Sequence, residues 1–253
     1  MRMQQGRNLT YGLVESLGQS IVTGEYDLDR PFPNEAELSM LFGASRSVTR
    51  EAVKMLTAKG LLRARPRQGT SVEPESQWNL FDPDILRWHL DRKFSLRLLL
   101  NFTEIRKAIE PTAASLAALK ADLEAIAEIR TGVDRMYAAE QGKDDGLSAD
   151  IAFHVAVMKA TNNPFYAQLS DIVTIALKIS IRFTNSLTGR HANVAAHEAV
   201  LDAIQARDPD AASARMTAII VDVMGLIHTA MASENPEAVR VANWQRPSTL
   251  DQL

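Results

Sequence analysis

The chain has no cysteine among its 253 residues. That excludes a disulfide framework and a zinc site built on thiolates, and it fits a reducing compartment. No apolar run reaches membrane-spanning length, and the N-terminus lacks the apolar segment of a secretory signal. A cytoplasmic location with no membrane partner is therefore expected. Signatures of catalysis are also missing. His197-Glu198 is followed by Leu201 where a second histidine would complete HExxH. There is no His-Asp dipeptide, no phosphate-cradling glycine loop and no nucleophile beside a base, so the chain is not expected to be an enzyme.

What is present is the composition of an ordinary globular protein, 46% hydrophobic and 23% charged. The net charge of −3 is unevenly distributed. Residues 1–70 hold 10 Lys+Arg against 7 Asp+Glu, or +3; the remainder holds 18 against 24, or −6. Between 46 and 67 lie Arg46, Arg50, Lys54, Lys59, Arg63, Arg65 and Arg67, with Glu51 as the only acid. A basic patch on a small unit of an acidic protein points to an anionic partner such as nucleic acid; a solvated helix face is the plain alternative.

The first seventy residues carry the punctuation of three helices. Leu9, Leu13, Leu17 and Ile21 recur at four-residue spacing, and Gly24 closes that helix. Pro31 and Pro33 break the chain. Asn34 then caps a short helix to Leu41, with Glu37 placed as its capping-box partner. After Gly43, Ser45 caps a third helix whose Val48, Ala52, Val53, Met55 and Leu56 face inward and which Gly60 stops. Two helices around a tight glycine turn, the second with arginines near its start, form a helix-turn-helix pattern. "LLRARPRQGTSV" adds two short strands around a basic tip, a wing. In that geometry Arg46 and Arg50 reach guanine edges or phosphates from the major groove. Arg65 and Arg67 contact phosphates, and Gly69 lets the wing backbone approach closely.

The stretch "FPNEAELSMLFGASRSVTREAVKMLTAKGLLRARPRQGTSV" resembles the winged helix of GntR-type bacterial transcription regulators, and the resemblance covers residues 9–72. It implies DNA binding through Ser45, Arg46, Arg50 and the wing. Relatives often carry a DNA-reading arginine before "EL" in the second helix; here that position is Ala36.

Residues 75–95 read as a linker in which Asp82-Pro83 opens a short helix. Trp78, Phe81 and Trp88 are expected to dock the two domains. From 96 to 232 the pattern is helical throughout, with Leu, Ala and Ile at three- and four-residue spacing and no strand-like alternation. Breaks near 120–122, 142–146, 162–164, 188–189 and 208–209 divide it into six antiparallel helices, an all-α bundle. Residues 233–253 read as a loose tail. The expected organisation is a winged helix-turn-helix at 1–74, a linker at 75–95, an all-helical effector-binding domain at 96–232 and the tail.

The bundle also resembles a family, the C-terminal sensor domain of the FadR subfamily, through "EIRKAIEPTAASLAA", "DIAFHVAVMKATNNP" and "HEAVLDAIQARDPDAA". The linker phrase "QWNLFDPDILRW" is similar to that of repressors of galactonate-type sugar-acid operons. Asp150 and His154 stand one helical turn apart on an apolar helix, so both leave the same face. The pair could bind a metal, perform acid–base chemistry or pair within the core. The resemblance implies a metal held by an Asp and three His. Asp150, His154 and His197 match three of those positions, and Ile219 stands at the fourth. Three protein ligands with water or effector oxygens suit Zn²⁺ or a similar ion. Direct contact of Asp150 and His154 with the effector remains open beside it. Arg106 and Glu110 are also one turn apart. The resemblance implies that Arg106 grips an effector carboxylate; a surface Arg106–Glu110 ion pair is the alternative. Arg182 and Asn185 are further pocket candidates.

The whole reads as a ligand-responsive repressor. It would bind a pseudo-palindromic double-stranded operator as a homodimer and be released by a small carboxylate such as galactonate or a related aldonic acid. The alternatives are a metal-dependent hydrolase with an appended DNA-binding head and an acyl-CoA-sensing regulator on the same scaffold.

Overall fold

The computed structural model describes residues 2–26, 30–65, 69–92, 96–188 and 193–232. It divides into two compact units, residues 1–93 and 94–253.

The first unit holds α1 (Arg2–Val22), α2 (Glu35–Leu41), α3 (Arg46–Ala58), β1 (Leu62–Arg65), β2 (Gly69–Val72), a 3-10 turn (Glu75–Gln77) and α4 (Pro83–Arg92). The strands pair antiparallel, with Leu62 opposite Val72 and Arg65 opposite Gly69. Both expected caps are present. Asn34 Oδ1 accepts from the N–H groups of Ala36 and Glu37, while the Glu37 carboxylate accepts from the Asn34 N–H. Ser45 Oγ accepts from the Val48 N–H, which satisfies one of the free donors at the start of α3. Leu13, Leu17, Ile21, Leu38, Ala52 and Leu56 form the core, whereas Leu9, predicted on the same stripe, is 62% exposed.

The linker segment behaves differently from its sequence reading. Trp78 and Trp88, expected to dock two domains, are buried in the first unit's own core, and Phe81 is exposed. Trp88 fits because residue 18 is glycine: a Cβ there would lie 2.3 Å from the indole. Glu15 on α1 accepts from Arg87 at 2.6 and 2.7 Å and from Trp88 Nε1 at 2.9 Å. Lys59, just past α3, donates to Asp82 and Asp84 at 2.8 Å. These contacts make α4 a working part of the first unit.

The second unit contains six helices among the described residues: α5 (Leu96–Lys120), α6 (Leu123–Glu140), α7 (Gly146–Lys159), α8 (Pro164–Thr188), α9 (Val194–Gln205) and α10 (Pro209–Ala232). Their boundaries fall at the breaks the sequence shows. Small residues set the spacing. Ala113, Ala114, Ala117 and Ala118 of α5 are fully buried and share a core with Leu201 and Ile204 of α9 and Met216 and Ile220 of α10. Gly132 lets α6 close onto α7, since a Cβ would sit 2.8 Å from the Phe153 Cα. One expectation is corrected here. α10 is long and apolar enough by composition to cross a bilayer, with a mean hydropathy of 1.3 over its best window. No single uninterrupted run shows this, because Arg215 and Asp222 divide the segment. Its Ala212, Met216 and Ile220 face the bundle core, and 17% of that window is buried.

Candidate effector and metal site in the helical bundle

Three helices bring five polar side chains together inside the second unit. α5 supplies Arg106 and Glu110, α7 supplies Asp150 and His154, and α9 supplies His197. All five are at most 5% exposed. Each same-helix pair is spaced by four residues, so one turn aligns both side chains. Asp145 caps α7 by accepting from the Ser148 N–H, and Asn193 caps α9 by accepting from the Ala196 N–H. The Phe153 ring packs edge-on against both imidazoles, with centroids 5.4 Å from His154 and 4.9 Å from His197.

The contacts form a chain. Arg106 donates from Nε to Glu110 Oε1 at 2.6 Å and from Nη2 to Oε2 at 3.3 Å. Arg106 and Glu110 therefore do pair, but in the interior and not on the surface. His154 Nδ1 lies 2.8 Å from Glu110 Oε2, while its Nε2 lies 3.2 Å from Asp150 Oδ1. His197 Nε2 lies 3.3 Å from the same Asp150 oxygen, and its Nδ1 is 2.7 Å from the Asn193 carbonyl. A carbonyl only accepts, so His197 donates from Nδ1 to Asn193, while His154 stands between two carboxylates, which favours the doubly protonated ring. Both Nε2 atoms face the same Asp150 oxygen.

The electrostatics follow from burial. Desolvation pushes the Glu110 carboxyl up, but Arg106 and His154 outweigh it and hold the group down at about 2. Desolvation likewise opposes charge on Asp150, yet His154 and His197 keep it well below the usual carboxylate range. Burial alone would lower His154; Glu110 and Asp150 overrule that and raise it to about 9. Arg106 and Glu110 offset one another, which leaves Asp150 in need of a positive partner. A proton on His154 meets that need, and so would a cation.

The donor set fits a metal. Asp150, His154 and His197 each offer a ligand atom, and these lie within 4.8 Å of one another. Two ligands about 2.1 Å from a tetrahedral ion stand about 3.4 Å apart, close to the separations at Asp150 Oδ1. Asp150 Oδ1 and His197 Nε2 are buried with no aligned hydrogen-bond partner, as is His154 Nδ1. Ile219, where a further histidine was sought, is partly buried against the core and adds no donor. Arg106 keeps its Nη1 free of partners among the described residues.

Other candidates are placed less centrally. The side chains of Arg182 and Asn185, and all of Arg67, lie outside the described residues. In the first unit Arg46 and Arg50 are exposed one turn apart on α3, Arg65 is exposed on β1, and Gly69 has φ of +85°. The Ser45 hydroxyl is occupied as a cap.

Known proteins resemble this chain in both of its parts. Residues 9–72 match the profile of bacterial regulatory proteins of the gntR family, and residues 101–222 match the FCD domain. The galactonate operon transcriptional repressor of Escherichia coli K12 is 36% identical over 209 residues, covering 81% of this chain and 90% of that one. The chain belongs to the GntR family of bacterial transcription regulators. The HTH-type regulator YieP of the same organism is 35% identical over 81% of this regulator and 90% of that protein. LutR of Bacillus subtilis is 31% identical over 74% and 86%. Among solved structures, Lar, which controls expression of the Listeria monocytogenes agr system, aligns with a TM-score of 0.54 at 17% identity over 87% of this regulator and 96% of that chain, a likeness of fold. The winged helix implies DNA binding, and the FCD domain implies a small-molecule effector.

Two features of the site had no sequence signal strong enough to find them. The sequence offers Glu110 as an effector-binding candidate one turn from Arg106, and the structure adds its contact with His154 across the α5–α7 interface. The Asn193 carbonyl that sets the His197 tautomer is a backbone group, invisible in residue types.

Proposed function

We propose that the regulator is a cytoplasmic repressor of sugar-acid catabolism genes. It binds a pseudo-palindromic operator as a homodimer and leaves it when a small carboxylate, galactonate or a related aldonic acid, enters the bundle. The observation that carries this reading is the buried cluster of Arg106, Glu110, Asp150, His154 and His197 in an otherwise alanine-rich core. Buried charge is costly unless it serves binding or is fully paired. Among the described residues Arg106 Nη1 meets no acceptor, and Asp150 Oδ1 has no hydrogen-bond partner. The likeness to the galactonate operon repressor supports the same ligand class.

Asp150, His154 and His197 would hold a divalent ion, with Zn²⁺ the first choice for this donor set. Bound there, the ion would offer a positive centre and open positions to the effector's carboxylate and neighbouring hydroxyl. Glu110, 2.8 Å from His154 Nδ1, would orient that ring, and the Asn193 carbonyl would hold His197. The unused edge of Arg106 would take a carboxylate. A polar cluster of this kind favours a small polyhydroxy acid over an acyl-CoA chain. The matched domains and relatives are regulators, which favours binding over hydrolysis. Exposed Val221 and Met231 on α10 support burial of that helix against a second copy.

The test is a thermal-shift series with sugar acids, galactonate first, with and without prior chelation, joined to operator binding. A rise in melting temperature that disappears on chelation and returns with Zn²⁺, together with weaker operator binding, is expected. A shift untouched by chelation would replace the metal with direct contacts. Operator affinity unchanged by every sugar acid would end the reading.

A further inference from the structure

Arg50, exposed on α3, donates its Nε–H to Glu35 Oε2 at 3.1 Å. The two side chains are 61% and 38% exposed, and a pair so open to water adds little stability. Toward DNA the carboxylate is a disadvantage, because it repels phosphates on the face that presents Arg46, Arg50 and Arg65.

The pair is nevertheless held at a fixed angle. Glu35 is the first residue of α2, directly after the Asn34–Glu37 capping box. The Ser39 hydroxyl on α2 bonds that of Thr49 on α3 at 3.0 Å, and Thr49 is fully buried one residue before Arg50. With α2 and α3 locked together, Glu35 engages the Nε side of the guanidinium. Its two Nη groups have no partner among the described residues. That remaining edge carries parallel N–H groups matching guanine O6 and N7, whereas a phosphate contact needs no such orientation.

We propose that Glu35 is a specificity-determining positioning residue: it aims Arg50 so that the arginine reads one guanine per half-site. This rests on the reading that α3 enters the major groove of an operator. Pre-orienting the guanidinium reduces the rotamer freedom lost on binding and denies Arg50 a merely electrostatic contact.

The experiment uses the full chain and duplexes with a randomised 20-base-pair centre, enriched by binding and sequenced. Wild type, Glu35→Ala, Glu35→Gln and Arg50→Ala are compared. Glu35 is on the surface, and a melting curve confirms that each variant is folded. Wild type should select a pseudo-palindrome with a guanine in each half. Both Glu35 variants should lose preference at the one position that Arg50→Ala also loses, by about tenfold, and keep the others. Glu35→Ala should also bind unselected DNA more tightly. The proposal is overturned if the Glu35 variants keep the full guanine preference. It is equally overturned if they bind the selected site more tightly, since Glu35 would then restrain Arg50. A wild type that selects no sequence would remove the operator reading itself, and this proposal with it.

Discussion

Arg106→Met isolates the largest electrostatic commitment in the bundle. The guanidinium and the Glu110 carboxylate are 2% and 1% exposed and joined by contacts of 2.6 and 3.3 Å. Methionine matches much of the arginine stem but removes the charge, leaving Glu110 with His154 alone. Breaking one partner from a buried pair costs about 3–5 kcal/mol. His154 remains 2.8 Å from Glu110, which places the cost near the low end, about 3 kcal/mol. For a domain of this size that corresponds to a fall in Tm of about 6–12 °C. Circular dichroism melts and urea titrations on the chelated protein measure it. The double variant Arg106→Met/Glu110→Leu should recover at least about half of the loss, because no uncompensated carboxylate is left inside. A loss under about 1 kcal/mol for the single variant, the value of an exposed pair, would refute the reasoning.

Four further outcomes are expected. Without metal, stability should plateau between about pH 4.5 and 6.5. The Glu110 share is lost as the pH falls from 4.5 toward 2, and the His154 share is lost as it rises from 6.5 through 9. A chelated-protein Tm that climbs between pH 7 and 9 would contradict this. Zn²⁺ should stabilise more at pH 8 than at pH 6, because ligation requires a neutral imidazole and displaces the proton held on His154. Glu110→Gln should weaken Zn²⁺ binding by about 10–100-fold in calorimetry while leaving the three ligands in place; unchanged affinity would remove Glu110 from the site. Finally, Gly132→Ala should destabilise the bundle by about 1–3 kcal/mol in a urea titration, since its Cβ would press on the Phe153 backbone between the two helices.

Much of the fold was legible because its signals are local. Asn34 with Glu37 and Ser45 define two helix starts through bonds made within three residues. Gly24, Gly43, Gly60 and Gly69 all have positive φ, so the turns they mark are written in residue type. The i,i+4 pairs Arg106–Glu110 and Asp150–His154 were visible for the same reason, as one turn places both members on one face. The function of the linker tryptophans was not legible. Aromatic residues in a connecting segment look alike whether they bridge domains or fill a neighbouring core. Only the space left by Gly18, seventy residues away, shows where Trp88 goes. α10 was similarly obscured, since Arg215 and Asp222 interrupt its apolar run while the helix as a whole stays apolar.

The sequence by itself determined the helix boundaries, the winged helix-turn-helix, the bundle and the types of residue that meet in its interior. Those follow from caps, breakers and a 3.6-residue period, each acting over a few positions. Only the tertiary structure decided which atoms face one another. It placed Glu110 against His154 and turned both Nε2 atoms toward Asp150. It also joined Glu35 to Arg50 across fifteen residues. The physical reason is that such contacts depend on how far and at what angle helices approach. That distance is set by alanines and glycines whose own side chains carry no sign of the chemistry they make room for.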